Sequence, residues 1–163
     1  MVKVYLTNLA QYNAGRLVGK WLDLPLDEKE LKQTFREVLG SDEEFFITDW
    51  ESPFRIEEYD NVWELNRFAE QLEALDEHDQ ERVIYLIESV GYKREEALER
   101  YEDVIFYKDM TIEDVAEELV EEGCFGNIAD NIKCYLDYER IARDLSIDGY
   151  SYEQGKGTFF SCV

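Results

Sequence analysis

The feature that most limits what this chain can become is a short run, TIEDVAEELVEEG, at residues 111–123. Its apolar residues Ile112, Val115, Ala116, Leu119 and Val120 recur at helical spacing and define a single face. The gaps are filled by Glu113, Asp114, Glu117, Glu118, Glu121 and Glu122, so one side must pack and the other must meet water as carboxylate. Thr111 and Asp114 form a capping-box start, and Gly123 supplies the left-handed residue that closes a helix. Acids one turn apart repel, and Glu121 and Glu122 lie at the negative end of the helix dipole. Helix stability alone does not select such residues.

The imbalance extends over the whole chain. No Lys or Arg occurs between Lys108 and Lys133, and unpaired acids recur at 42–44, 57–60 and 70–79. Against 17 basic residues stand 39 acidic ones, a net charge of -22 that costs stability through self-repulsion. Acidic disordered tails lack aromatics, whereas 14% of this chain is Phe, Trp or Tyr, which marks a folded acidic surface. At one charge per about 1.7 Å of duplex, a charge of this size corresponds to roughly 37 Å of DNA. A compact globule of this length has a width of about 40 Å, and an elongated one would dilute the charge less.

Read in order, the chain is α+β. Residues 2–7 alternate as a strand, with Val2, Val4 and Leu6 on one face, before a loop centred on Tyr12, Asn13 and Gly15. Residues 17–24 read as a second strand halted by Pro25, and 26–39 as a helix with Leu31, Phe35, Val38 and Leu39 buried. A third strand spans 44–51. From Asn61 the spacing becomes helical through Leu65, Phe68, Ala69 and Leu72, then again through Val83, Ile84, Leu86 and Ile87 to a stop at Gly91. A short helical piece at 93–101 precedes a strand at 104–107. After the acid-faced helix, a second helix is expected from Ile128 onward, then a hairpin divided by Gly155 and Gly157. The composition shifts divide the chain into three small units laid end to end: an α+β unit at 1–60, a helical middle at 61–103 and an α+β unit at 104–163.

Catalytic signatures are missing from the sequence. There is no Gly-rich phosphate loop, no GxSxG and no HExxH, and the GCFG at 123–126 lacks a following Lys. His78 is the only histidine; between Glu77 and Asp79 it reads as a solvated polar residue. Asp144, Ser146, Asp148 and Gly149 match the start of a calcium loop, but its twelfth place is Gly155 where a bidentate Glu is needed. Asp148 and Gly149 are therefore expected to form a turn, with no metal or cofactor implied. Cys124, Cys134 and Cys162 form no CxxC pair, no apolar run reaches membrane-spanning length, and MVKVYLTNL lacks the apolar core of a signal peptide. A reduced, cytoplasmic, non-enzymatic protein is the expectation.

Three stretches together carry a family resemblance: VYLTNLAQYNAGRLVGKWLDLP, FFITDWESPFRIEEYDNVWELNRFAEQL and FGNIADNIKCYLDYERIARDL. In their combination the chain resembles the ArdA-type antirestriction proteins of mobile genetic elements over nearly its full length. Trp50 stands where that family's DYE segment has Tyr. The resemblance implies an elongated three-domain homodimer that mimics DNA and fills the DNA-binding groove of type I restriction-modification enzymes, without itself binding nucleic acid or membrane. The carboxylates taken as the partner-binding surface are Asp42, Glu43, Glu44, Glu57, Glu58, Glu70, Glu73, Glu113, Asp114, Glu117, Glu118, Glu121 and Glu122. Residues 125–138 overlap the family's antirestriction motif, so Phe125, Ile128, Ile132 and Tyr135 inherit a dimer-interface role. The alternative reading is an acidic interaction module or chaperone for another basic nucleic-acid-binding protein.

Overall fold

Strand alternation at the N-terminus sets the first layer. In the computed structural model, which describes residues 1–161, Val2, Val4 and Leu6 of β1 (Val2–Asn8) are buried on one face. Cys162 lies outside the described residues. β1 is the central strand of an antiparallel sheet, flanked by β2 (Gly19–Leu24) and β3 (Phe45–Glu51) in the order β2-β1-β3. Two helices supply the apolar side chains that cover its inner face. α2 (Glu28–Leu39) is capped by Asp27 and buries Leu31, Thr34 and Val38; α3 (Val62–Glu73) is capped by Asn61 and buries Leu65, Phe68, Ala69 and Leu72. The Asn66 side chain clasps the backbone of Leu26, accepting from its N–H at 2.7 Å and donating to its carbonyl at 2.8 Å. That clasp ties α3 to the end of β2 across forty residues of chain.

α4 (Glu77–Tyr85) continues as a π-helical turn, Leu86–Val90, that stops at Gly91, and α5 (Arg94–Arg100) leads into β4 (Val104–Lys108). β4 pairs with β6 (Gly157–Ser161), and β6 with β5 (Tyr150–Glu153), giving a second antiparallel sheet of order β4-β6-β5. One face of this sheet meets α4 through a ring stack in which Phe159 lies 4.4 Å from Tyr85 and 4.3 Å from Phe106. Tyr107 and Tyr150 pack instead against α6 (Ile112–Glu121) and α8 (Tyr138–Ile147), together with Val115, Ala116, Leu119 and Leu145. Among the described residues, buried apolar side chains thus form two groups, one running from Val2 to Phe159 and a smaller one around α6 and α8.

The mixed α+β class and the order of elements agree with the sequence reading, and three details differ. The loop expected around Tyr12 begins as a short helix, α1 (Leu9–Asn13), because Asn8 accepts from the Gln11 N–H at 3.0 Å and caps it. The helix expected from Ile128 is broken: α7 (Asp130–Lys133) lasts one turn, and Asp137 starts α8 afresh by accepting from the Arg140 N–H at 3.0 Å. His78 is half-buried, its ring 4.9 Å from that of Phe106 and its Nε2 3.1 Å from the Phe106 carbonyl. It joins α4 to β4. Asp148 and Gly149 form the expected turn before β5. Among the described residues, no helix is long and apolar enough to cross a membrane.

Candidate functional site

The acid-faced helix forms as its spacing dictates. The Thr111 hydroxyl accepts from the Asp114 N–H at 3.1 Å, and the Asp114 carboxylate accepts from the Thr111 N–H at 2.8 Å, which completes the capping box. The Thr111 hydroxyl, which also donates to the Asp114 carboxylate at 2.6 Å, and then the Thr111 N–H hold that carboxyl below its ordinary pKa. Val115, Ala116, Leu119 and Val120 are buried, and Gly123 follows the helix at φ +79°. Glu113, Glu117 and Glu122 are exposed and Glu118 is half-buried, none with a cationic partner among the described residues. Glu121 differs, because Lys133 of α7 reaches back to it at 2.8 Å while also contacting Asp130 at 3.2 Å.

The carboxylates of this helix also bear on one half-buried tyrosine. Burial chiefly, then the neighbouring Tyr150 and the carboxylates of Glu118 and Glu122, push the Tyr107 phenol up to about 12 from an ordinary 10.0. A folded-state pKa above the unfolded one means the fold favours the neutral phenol. Its contribution is intact below pH 10 and declines as the pH rises toward about 12. Resistance to chemical denaturation should therefore fall through that window, and Tyr107→Phe should flatten the fall; tyrosinate absorbance tracked alongside identifies the group.

The remaining sequence-selected acids divide in the same way. Glu43 and Glu44 in the loop before β3, Glu58 after it, and Glu70 and Glu73 on α3 are all exposed and have no cationic partner among the described residues. Glu57 is held by Arg55 at 2.8 Å. Asp42 is half-buried and accepts from the side-chain amides of Gln11 at 2.9 Å and Asn8 at 3.0 Å, bonds that keep its carboxyl below the usual range. Asp42 thus fastens the end of α2 to α1.

Other free acids were masked in the sequence by nearby cations. In KREEALER, Lys93, Arg94 and Arg100 sit among Glu95, Glu96 and Glu99 and make the segment look balanced. Arg94 instead turns to Asp60 at 2.7 Å and Arg100 to Asp103 at 3.2 Å, leaving those three glutamates exposed and unpaired. For Asp60, burial opposes ionisation, but hydrogen bonds from Arg94 and from the Glu57 N–H outweigh it and lower the pKa. Among the described residues, no group of three or more His, Cys, Asp and Glu side chains is gathered to hold a metal. Phe125, Ile132 and Tyr135 are exposed, and Ile128 is half-buried, in the segment between α6 and α8.

Fold and surface together define a class: a folded α+β protein that turns carboxylates outward from several separate elements while most of its cations are drawn into local pairs. A family model described as Antirestriction protein (ArdA) matches residues 4–160. The chain belongs to the ArdA family of antirestriction proteins, a membership that implies antirestriction activity and interaction with restriction-modification enzymes. Comparison with curated proteins finds no match.

Proposed function

We propose that this protein blocks restriction by occupying, as a DNA mimic, the DNA-binding groove of a type I restriction-modification enzyme, and that it acts as a homodimer. The observation that carries the reading is the set of outward carboxylates with no cationic partner, from Glu43, Glu44 and Glu58 through Glu70 and Glu73 to Glu113, Glu117, Glu118 and Glu122. A groove that neutralises phosphates with Lys and Arg gains free energy by releasing counterions. A fixed array of carboxylates collects much of that gain without any base contact. No bond is made or broken; the protein competes.

In this reading the units at 1–60, 61–103 and 104–163 spread the charge along a length, and the dimer doubles it. Phe125, Ile132 and Tyr135 are exposed at 50%, 49% and 82%, which is apolar surface that a second copy would cover. The test is a titration of the protein into enzyme bound to labelled duplex at several salt concentrations, with the oligomeric state followed by sedimentation. Displacement of DNA at low salt, weakening steeply as salt rises, and a dimer at micromolar concentration are the expected results. Duplex that stays bound under saturating protein removes the mimicry and leaves the acidic-chaperone alternative; a monomer with full activity removes the dimer.

A further inference from the structure

The outer face of the first sheet carries a cleft of about 460 Å³ whose lining includes Tyr5, Tyr12, Trp21, Phe46, Asp49 and Glu58. No Lys or Arg lines it. The rings brace one another edge-on, Tyr5 against Trp21 at 5.4 Å and Tyr12 against Phe46 at 5.1 Å, yet Trp21 and Tyr12 remain 42% and 52% exposed. Phe46 is buried, but Trp21 and Tyr12 face solvent and stand apart from the main core, which lies on the sheet's other face with Val4, Leu6 and Leu22. Among the described residues, Glu58 has no cationic partner and Asp49 accepts only from the Trp50 N–H at 2.8 Å.

We infer that this cleft accepts an arginine side chain of the basic partner protein. Aromatic faces carry negative quadrupole charge and attract cations, most strongly where water is displaced. Asp49 and Glu58 add carboxylate acceptors at the same cleft, and the net charge of -22 concentrates cations around the whole molecule. Guanidinium suits the cleft better than ammonium because it is planar, stacks on rings and donates in its own plane. The partner's identity rests on the DNA-mimic reading; the chemistry of the cleft does not. The cleft would add a short-range contact to an interaction otherwise steered by long-range charge, and it would distinguish an arginine-bearing groove from a merely basic one.

The experiment uses the full chain and a neutral Gly-Ser peptide carrying one arginine, compared with the same peptide carrying one lysine. Nuclear magnetic resonance of the aromatic side chains reports the site. The expected result is saturable shifts of the Trp21 and Tyr12 signals with arginine, several-fold weaker with lysine, and roughly tenfold weaker with arginine in Tyr12→Ala and Glu58→Gln. Glu58→Gln should keep the wild-type thermal midpoint, Tyr12→Ala should stay folded with a modestly lower one, and both should displace duplex from the enzyme less well. Shifts scattered over the acidic surface, or variants that bind peptide and displace duplex as wild type does, overturn the inference. Wild-type protein that binds the peptide at the cleft but displaces no duplex upholds the cleft and overturns the DNA-mimic reading instead.

Discussion

Replacing Glu113, Glu117, Glu118 and Glu122 together by glutamine should weaken inhibition of the target enzyme by roughly a hundredfold, while each replacement alone should cost about threefold or less. Each of these side chains lacks a cationic partner among the described residues, so each is free to meet a cation of the enzyme. An exposed ion pair contributes about 0 to 1 kcal/mol, and the effect of single changes is correspondingly small. Four such contacts sum to about 3 kcal/mol, with coupling between neighbours modifying the total. The variant should not be less stable. Glu113 and Glu117, Glu117 and Glu121, and Glu118 and Glu122 are like charges one helical turn apart, and neutralising them relieves repulsion by a few tenths of a kcal/mol per pair. Asp114 is left in place because it closes the capping box. Inhibition lost while the unfolding midpoint holds or rises is the signature of a functional charge array; inhibition unchanged in the quadruple variant excludes this face.

The largest effect on stability should come from Gly157→Ala. Gly157 opens β6 at φ +140°, and a Cβ there would lie 2.2 Å from the Tyr107 carbonyl oxygen, 2.8 Å from the Asp109 nitrogen and 3.1 Å from the Lys108 Cα. All three are backbone atoms, so no side chain can swing away. The methyl would force β4 and β6 apart at the point where Lys108 pairs with Gly157 and the Asp109 N–H donates to the Lys156 carbonyl at 2.8 Å. Phe159, fully buried two residues on, would then leave its stack with Tyr85 and Phe106. A cost of about 4 kcal/mol follows, which for a chain of this size lowers the thermal midpoint by roughly 10 °C. Gly155→Ala is the control: it has a left-handed φ of +81° but nothing within 4 Å, so only the conformational penalty of about 1 kcal/mol applies. Equal losses in the two variants would show that close approach at Gly157 does not matter.

Much of the local structure was legible in the residues because it is written in short-range chemistry. The α6 periodicity, its Thr111 and Asp114 box, the inward face of β1 and the turn at Asp148 and Gly149 each depend on a few neighbouring residues. The break in the last helical run was harder to see. Ile128, Ile132, Tyr135, Ile141 and Leu145 keep an apolar spacing across it, while Asp137, which starts α8, looks like one more acid among many. The division of acids into free and engaged was not legible either. Asp42 finds Asn8 and Gln11 more than thirty residues away, Asp60 finds Arg94 at similar distance, and Glu121 finds Lys133 across the turn after α6.

The sequence by itself therefore determined an α+β chain with an excess of negative charge and an acid-faced helix whose two ends are specified. It also carried the family, since the ArdA match spans residues 4–160. Only the tertiary structure decided which carboxylates are neutralised from within, and that Tyr5, Tyr12, Trp21 and Phe46 meet around one cleft with Asp49 and Glu58. The physical reason is range: helix faces and caps are set by residues within a turn or two, whereas ion pairs and clefts are set by whichever distant segments the sheets bring together.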